Sequence, residues 1–290
     1  MADSAVFEQH RTRLWGVAYR ITGSVADADD AVQDAWLRWQ RLPDGTAEEP
    51  RAYLTTVISR LCYDQLGSAR ARRESYIGPW LPEPLVTEGG PEDRVTLDES
   101  VGIALLAVLE LLTPAERTAF VLHDVFAVPF PEIAGVVGRT PEAVRQLASR
   151  ARRRVRAGAP RRTVDRAEHR RAVDAFLAAV MGGDFDGLLG VLDPGVVWRS
   201  DGGGKVTAAR VPIVGAERVA RFAQGIARRF DPETMRMLPR EVNDAPGLVF
   251  ADLAGHQVGV YGFTVYGGRI TEVDAVLNPD KLRHLDLGNL

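Results

Sequence analysis

Residues 113–156 read TPAERTAFVLHDVFAVPFPEIAGVVGRTPEAVRQLASRARRRVR, and their pattern decides the fold of the first half of the chain. The segment Thr113–Glu116 has the pattern of a capping box with proline at the first helical position, which predicts a helix through about Asp124. Pro131–Val137 predicts a second, short helix. After a glycine turn, Thr140-Pro-Glu begins a third helix with the same cap chemistry, so the stretch predicts a helix-turn-helix.

The last of these helices has one apolar and one basic face. At helical spacing, the apolar positions are Val144, Leu147, Ala148, Ala151 and Val155. The opposite face carries Arg145, Gln146, Ser149, Arg150, Arg152, Arg153 and Arg156. Arginine and glutamine can address base edges through paired hydrogen bonds, and serine and further arginines can hold phosphates. The pattern predicts a DNA-binding helix, with an arginine-rich surface helix that has no ligand as the alternative.

The composition excludes several classes of protein. The chain has 290 residues and a single cysteine, Cys62, so it has the length of two or three domains and is not a disulfide scaffold. No apolar run approaches the roughly 20 residues that a membrane helix needs, and Met1-Ala-Asp-Ser lacks the basic and apolar blocks of a secretory signal. We therefore expect a cytoplasmic protein with no membrane segment, with Cys62 as a small core residue.

The net charge of −3 conceals alternating charge blocks along the chain. The blocks are 1–50 at −4, 51–73 at +4, 74–110 at −7, 111–162 at +6, and the remainder at −2. Two separated basic segments suit a polyanion contacted at two places, while the acidic segments favour a basic protein partner. The alternative is that each block is only a solvated surface.

The amino-terminal acidic block lies on an amphipathic helix. Ser24, with Asp27 three residues on, predicts the start of this helix, and the loop Pro43–Pro50 ends it. The predicted buried stripe is Ala28, Val32, Ala35 and Trp39. The opposite face is then Asp29, Asp30, Gln33, Asp34 and Leu37.

The next helix is predicted from about Arg51 to Arg73, and a proline-rich linker follows it. We expect Tyr53, Val57 and Leu61 to share one side of the helix, with Arg70, Arg72 and Arg73 at its end. Four prolines and a diglycine between residues 75 and 95 predict an extended, acidic linker. Its Trp80-Leu-Pro-Glu-Pro stretch needs a surface to cover the tryptophan.

The last third of the chain is predicted to contain strands as well as helices, unlike the helical segments before it. Helices are expected over His169–Val180, over Asp184–Leu192 and within Ile213–Phe230. Strands are predicted at Leu248–Ala254, Gln257–Tyr266 and Ile270–Leu277, with a hairpin turn at Gly267-Gly268. The pattern indicates a separate α+β domain with a curved antiparallel sheet, whose helices leave room for a ligand pocket.

Three parts of the sequence resemble a known family. Ala18–Trp39 resembles region 2 of bacterial extracytoplasmic-function sigma factors, and Thr113–Arg156 resembles their region 4. The last 125 residues resemble the SnoaL-like cone fold. The motifs WLPEP at 80–84, DGGGK at 201–205 and NPDKL at 278–282 resemble, in order and spacing, the subgroup with a fused SnoaL-like domain. The fold class implied is multidomain, with two all-α sigma domains before an α+β cone domain. The expected bounds are 1–75 for region 2, 76–100 for the linker, 101–160 for region 4 and 165–290 for the cone.

The resemblance implies a sigma factor that directs core RNA polymerase to promoters, with no catalytic residue, cofactor or metal. It implies contact with the β′ clamp helices by Asp29, Asp30, Gln33, Asp34 and Leu37. The β flap is a second implied polymerase contact. The −10 element would meet Arg60, Arg70, Arg72 and Arg73, although Gly67-Ser68-Ala69 departs from the usual pattern there. The −35 element would meet Arg145, Gln146, Ser149, Arg150 and Arg153.

Lysine usage adds a hypothesis about regulation. The chain has only two lysines, Lys205 and Lys281, and each lies in one of the carboxy-terminal motifs. A compact ammonium can be buried against a carboxylate or carbonyl cluster where a guanidinium does not fit. We therefore expect these lysines to fix the cone domain against the linker or region 2, the alternative being chance. The expected regulatory residues are Trp80, Pro82, Asp201, Lys205, Asn278, Asp280 and Lys281.

Two rival functions remain open at this point. SnoaL-like domains include enzymes that use a carboxylate or histidine as acid or base, for which the candidates are His256, Asp201, Asp252 and Tyr261. A free-standing helix-turn-helix regulator is the other rival. The triglycine of DGGGK lacks the strand and helix context of a phosphate-binding loop. A small ligand in the cone stays undefined, as do the promoter sequence, the signal sensed and the sign of the regulation.

Overall fold

The computed structural model of the chain describes residues 3–43, 46–74, 76–87, 102–158, 165–253 and 257–285. These residues form two compact units. The first unit holds the described residues up to 74 together with 108–158. The second unit holds 76–87, 102–107 and everything described from 165 onward. Most of the two predicted sigma domains therefore shares one unit, and the described part of the linker belongs with the carboxy-terminal sheet.

The described residues up to Gly158 are mostly helical. Their elements are α1 Ser4–Thr22, α2 Val25–Gln40, α3 Pro50–Glu74, β1 Val86–Thr87, α4 Ile103–Leu109, α5 Pro114–Phe120, α6 Phe130–Val137 and α7 Pro141–Gly158. A π-helical turn over Val121–Val125 continues α5. Near the start of α2, the Ser24 hydroxyl accepts a hydrogen bond from the Asp27 backbone N–H at 3.1 Å, as its capping pattern predicts. The predicted buried stripe of this helix is confirmed.

The predicted orientation of α3 is wrong by one position. The fully buried side chains are Leu54, Ile58 and Cys62, whereas Tyr53 and its partners in the predicted stripe are only half-buried. Both series have helical spacing, so the choice between them depends on packing against α1 and α2 rather than on periodicity. Cys62 is a core residue, as expected, and burial raises the pKa of its thiol.

The predicted helix-turn-helix is present. The Thr113 hydroxyl accepts a hydrogen bond from the Glu116 N–H at 3.3 Å, and the Thr113 N–H donates to the Glu116 carboxylate at 3.2 Å, which completes the capping box. The turn between α6 and α7 passes through Gly138, whose φ of 67° lies in the left-handed region that glycine adopts without strain. The residues of the motif thus orient α7 with one face outward.

The second unit is an α+β domain. Its further elements are α8 Arg166–Gly182, α9 Phe185–Val191, β2 Leu192–Asp201, β3 Ile213–Val214, α10 Ala216–Ala227, β4 Met235–Val242, β5 Ala245–Asp252, β6 Gln257–Tyr266 and β7 Arg269–Val276, with a 3-10 turn at Pro279–Lys281. The strand order is β1-β4-β5-β6-β7-β2-β3, in which only β2 and β7 are parallel. The three predicted strands are present within a few residues. Sequence reasoning missed β2 and β4, because Pro194, Pro239 and interspersed charges interrupt their alternation.

The two faces of this sheet carry different side chains. Trp198, Tyr261 and Phe263 point into the main core beneath α8, α9 and α10. Because successive side chains of a strand alternate, Asp201 on β2 and Val276 on β7 lie on the other face. That second face is covered by the linker residue Leu81, by Ile103 and by Leu282, which form a smaller core. Residues 76–87, the described part of the linker, therefore belong to the folded second unit.

We expect the stability of the second unit to depend on pH through His169 on α8. Burial is the main cause that lowers its pKa from 6.5 to about 4. Because the folded-state pKa is lowered, the unfolded chain binds a proton at His169 more readily than the folded protein does. The stability that is present above the unfolded pKa is therefore lost as pH falls toward the folded-state pKa. Between pH 6.5 and 4 we expect His169 to cost up to about 3 kcal/mol of unfolding free energy.

Urea unfolding at several pH values, compared with His169→Gln, measures this contribution. Burial raises the pKa of Glu272 to about 7, and this carboxyl acts in the opposite sense over an overlapping range. Because the Glu272 contribution is common to both proteins, it cancels in the difference. Parallel pH curves for the two proteins would show that His169 does not cause the acid loss.

Candidate functional site

The outer face of α2 combines carboxylates with one apolar side chain. Leu37 is 41% exposed on this face. One carboxylate is oriented by a neighbouring helix, since Trp15 Nε1 donates to Asp29 Oδ1 at 2.7 Å. The remaining exposed members of the predicted set are Asp30, Gln33 and Asp34. A negative surface that includes an exposed apolar side chain can bind a basic helical partner.

Arg60 on α3 is engaged within the first unit. Its guanidinium donates to the backbone carbonyl of Gly135 on α6 at 3.0 Å. The side chains of Arg70, Arg72 and Arg73 lie outside the described residues, although α3 continues through their positions. The structure therefore places one predicted −10 residue against the helix-turn-helix and leaves the other three as predictions.

The basic face of α7 is accessible, as the sequence predicts. Gln146, Ser149 and Arg153 are exposed and form no hydrogen bond or ion pair within the described part of the chain. Arg145 is also exposed, lies 3.7 Å from Glu142 and stacks over the Phe130 ring at 5.6 Å. These side chains form one row along the helix that is free to meet a ligand.

Glu116 caps α5 and also fixes α7 to α5, and the capping pattern does not predict this second role. Its buried carboxylate pairs with Arg154 at 2.6 Å and with Arg150 at 3.3 Å. Burial alone would raise the pKa of Glu116, but hydrogen bonds from Thr113 and the two arginines outweigh it and hold the pKa below its usual value. Arg150 thus reaches solvent from a fixed position. Arg152, placed on the free face by the sequence, instead pairs with Asp124 at 2.5 Å.

Asp201, the last residue of β2, is the centre of the contact between the linker and the sheet. Its side chain is fully buried. It accepts hydrogen bonds from the Leu81 backbone N–H at 2.8 Å, from the Tyr76 hydroxyl and from Lys281 Nζ at 2.7 Å. We call Tyr76, Trp80, Leu81, Asp201 and Lys281 the linker clasp. One carboxylate holds three groups, two of them from the linker.

Lys281 closes the clasp from the other side. Its ammonium also donates to the Leu81 carbonyl and lies 3.3 Å from the centroid of the Trp80 ring. The Lys281 side chain is only 5% exposed, so the ammonium is almost wholly removed from water. A buried charge of this kind is tolerated only when it is paired and hydrogen-bonded, as it is here. The predicted surface that covers Trp80 is therefore this lysine and its neighbours.

Tyr76, which sequence reasoning missed, links the clasp to the NPDKL motif. Its hydroxyl accepts a hydrogen bond from Asn278 Nδ2 at 2.8 Å while it donates to Asp201. Burial and the bond to Asp201 raise the pKa of this hydroxyl, so it remains a donor at neutral pH. Gly203 of the DGGGK motif has a φ of 58°, and a side chain there would collide with Asn278. The linker and the NPDKL turn thus approach the backbone closely at Gly203 and Gly204, whereas Gly202 lies against Val206 and Ala208.

The other predicted regulatory residues lie around the clasp. Lys205 pairs with Asp280 at the surface, where the two side chains are 48% and 38% exposed. Pro82 is buried. Beyond it, the linker continues as β1, which pairs with β4 at the edge of the sheet, and the Leu85 N–H donates to Asn243 Oδ1 at 3.2 Å. The two lysines therefore differ in kind, since Lys281 is part of the clasp and Lys205 forms a solvated pair.

Comparison with known proteins identifies the family. The chain matches the models of Sigma-70 region 2 over residues 6–72 and Sigma-70 region 4 over 103–155. It is 41% identical to the ECF RNA polymerase sigma factor SigJ of Mycobacterium tuberculosis, with 95% of this chain and 91% of SigJ covered. The chain belongs to the ECF RNA polymerase sigma factors.

A further relative and a solved structure of SigJ also cover nearly the whole chain. The probable ECF RNA polymerase sigma factor SigI of Mycobacterium tuberculosis is 38% identical, with 96% of this chain and 94% of SigI covered. The crystal structure of the extracytoplasmic function sigma factor SigJ has a TM-score of 0.80 and 39% identity, covering 99% of this chain and 100% of that one. The sigma factor thus has the expected fold class of helical sigma domains followed by an α+β domain. It directs RNA polymerase to specific promoters and is not an enzyme.

Two of the residues considered for catalysis lie on opposite faces of the sheet in this sigma factor. Asp201 is engaged in the clasp on one face of the sheet, whereas Tyr261 lies in the main core on the opposite face. His256 lies outside the described residues. Within the described ranges, no group of three histidine, cysteine, aspartate or glutamate side chains is arranged to hold a metal ion. None of the helices that the structure describes is both long and apolar enough to cross a bilayer.

Proposed function

We propose that the sigma factor binds core RNA polymerase through the outer face of α2, with Asp29, Asp30, Gln33, Asp34 and Leu37 against the β′ clamp helices. The support is the exposure of all five residues on one face, together with a net charge of −4 over residues 1–50. Charge complementarity of this kind speeds association and fixes orientation. The β flap is the second polymerase contact in this proposal, and a cytoplasmic location follows from the partner.

The same proposal assigns the promoter elements to two helices. The end of α3, with Arg60, Arg70, Arg72 and Arg73, meets the −10 element, where melted bases favour basic partners. The exposed row on α7, with Arg145, Gln146, Ser149, Arg150 and Arg153, meets the −35 element. Arg60 then exchanges its bond to the Gly135 carbonyl for contacts with DNA.

Regulation in cis is the third part of the proposal, and the linker clasp carries it. Residues 76–107 join the two promoter-binding parts of the chain, and their described portion belongs to the second unit. A linker that is held at fixed points spans a fixed distance between the two promoter-binding parts. A released linker loses conformational entropy when both parts bind one DNA molecule, so promoter binding is weaker. Trp80, Pro82, Asp201, Asn278 and Lys281 therefore set how far the two parts separate, whereas the predicted regulatory residues Lys205 and Asp280 form an exposed pair beside the clasp and contribute little.

Replacing Lys281 with alanine tests this regulation. The variant removes the ammonium that bonds both Leu81 and Asp201, so we expect transcription from a cognate promoter to fall by at least about 5-fold through weaker promoter binding. The measurement is in vitro transcription with core polymerase. Lys205→Ala is the matched control, because it removes the other lysine from an exposed pair and should change activity less than 2-fold.

Two further variants separate regulation from folding. Tyr76→Phe keeps the ring and removes one donor to Asp201, and a chain ending at Leu277 lacks the whole NPDKL motif. Circular dichroism checks that each variant is folded. If the Lys281→Ala and Leu277-terminated proteins are folded and transcribe as the full chain does, the clasp does not regulate promoter binding.

A further inference from the structure

An open cleft lies between the start of the linker and the loop that follows β2. Its volume is about 330 Å³, which is within the range of small-molecule sites. The linker contributes Ile77 and Gly78 to the lining, and the other wall consists of Ser200 near the end of β2 and of residues within 202–210. All of these residues belong to the second unit. The cleft therefore lies beside the linker clasp and uses the same stretch of linker as one wall.

The charged side chains that line this cleft are basic. They are Lys205 and Arg210, and none of the acidic residues that the structure describes contributes to the lining. Arg210 is exposed and forms no hydrogen bond or ion pair within the described part of the chain. Lys205 shares the carboxylate of Asp280 with Arg283. Three cations thus accompany one carboxylate in and beside the cleft, which leaves an excess of positive charge that attracts an anion.

Hydroxyl groups and apolar side chains complete the lining. Ser200 is 2% exposed, and its Oγ accepts a hydrogen bond from the Trp198 indole N–H at 2.9 Å, so its own proton remains available. Among the described residues this proton has no acceptor. Thr207 supplies a second hydroxyl at the surface, and Val206 supplies an apolar wall. Hydroxyls beside an arginine and a lysine suit phosphate oxygens, and the apolar wall suits an organic group attached to them.

The linker and the loop approach each other closely at two glycines. A side chain at Gly204, where φ is 72°, would lie 2.9 Å from the Ile77 side chain. Gly78 has a φ of 89°, and a side chain there would lie 3.7 Å from the Arg210 Cα. The two walls of the cleft are therefore together only while the linker is held by the clasp.

We propose that this cleft binds a phosphate monoester with a small apolar organic group, and that the bound ester stabilises the clasped linker. The phosphate lies between Lys205 and Arg210, and the guanidinium pairs with two of its oxygens. The organic group packs on Ile77 and Val206. Because the linker forms one wall, the ester binds the clasped form and stabilises it by mass action. The inference adds a ligand to the regulation proposed above, but the binding itself does not depend on that regulation.

Phenyl phosphate tests the site in the full chain, at about pH 7.5, where a phosphate monoester is mainly a dianion. Ligand-observed NMR titrations give its affinity for the wild-type protein and for Arg210→Ala. The variant should lose about 10-fold or more in affinity, because it removes hydrogen bonds between charged groups. Arg171→Ala is the matched control, since it removes an exposed arginine of α8 that does not line the cleft, and it should bind within about 2-fold of wild type.

Two other anions test the assignment to a monoester. Methyl phenyl phosphate is a diester with the single charge of a nucleic-acid backbone phosphate, and benzoate is a carboxylate. Both should bind at least about 10-fold more weakly than phenyl phosphate, since each offers one negative charge and fewer acceptor oxygens.

Hydrogen exchange of the Leu81 amide measures the effect on the linker, because this N–H donates to Asp201 in the clasp. With phenyl phosphate at ten times its Kd, the exchange of this amide should slow by about 10-fold. Circular dichroism checks that both arginine variants are folded. The proposal is overturned if phenyl phosphate does not bind, if the two arginine variants bind it alike, if the diester or benzoate binds as tightly, or if Leu81 exchange is unchanged at saturation. None of these measurements involves polymerase or promoter, so their failure leaves the proposed function to its own tests.

Discussion

Replacing Asp30 and Asp34 with arginine is expected to lower the affinity of the sigma factor for core polymerase by at least about 100-fold, because like charges brought together at an interface cost several kcal/mol. Both carboxylates are exposed on the outer face of α2, opposite its buried stripe. Neither has an ion pair within the described part of the chain, so their replacement leaves the packing of the first unit intact.

Biolayer interferometry with immobilised core polymerase measures this affinity. The matched control is the double variant Asp174→Arg and Asp186→Arg, which makes the same change of charge at exposed positions of the second unit. We expect the control to bind within about 2-fold of the wild-type protein, since exposed charges away from a contact contribute little. Equal loss in both double variants would mean that net charge, and not the α2 face, determines binding.

Replacing Asp201 with alanine is expected to cost the second unit about 3–5 kcal/mol of unfolding free energy, since it leaves the Lys281 ammonium buried without its partner. The variant also removes the acceptor of the Leu81 N–H and the Tyr76 hydroxyl. The stability loss and the release of the linker should therefore occur together. Urea unfolding followed by circular dichroism measures the loss.

Two further variants serve as controls for that loss of stability. Asp280→Ala breaks the exposed pair with Lys205 and should cost less than about 1 kcal/mol. Combining Asp201→Asn with Lys281→Met removes both buried charges, and it should recover most of the stability because no unpaired ion remains. A cost of less than 1 kcal/mol for Asp201→Ala would show that the clasp carboxylate does not stabilise the domain.

Local chemistry made the helical parts of the chain predictable. The capping box at Thr113–Glu116 and the α2 stripe depend on residues within one or two turns of each other. The orientation of α3 depends on which of two neighbouring stripes packs against other helices, and periodicity cannot decide that. Strands β2 and β4 were missed because a proline lies in each and their pairing partners are distant in sequence.

The candidate site was only partly predictable for the same reason. Lysine scarcity indicated that Lys281 has a special environment, and the structure supplies that environment. Tyr76 gave no signal, since its partner Asp201 lies 125 positions away and a single tyrosine at the start of a linker has no diagnostic pattern. The pairing of Glu116 with arginines of α7 could not be predicted, because the capping box already accounts for a glutamate at this position.

The use of arginine almost everywhere has a consequence for the chemical reactivity of this sigma factor. Apart from the amino terminus, primary amines occur only at Lys205 and Lys281. One is half exposed and the other is enclosed by Tyr76, Trp80 and Leu81, so acylating reagents reach Lys205 readily and reach Lys281 only when the linker departs. Lysine acetylation would therefore act on the free form of the linker and, by neutralising Lys281, would prevent its return.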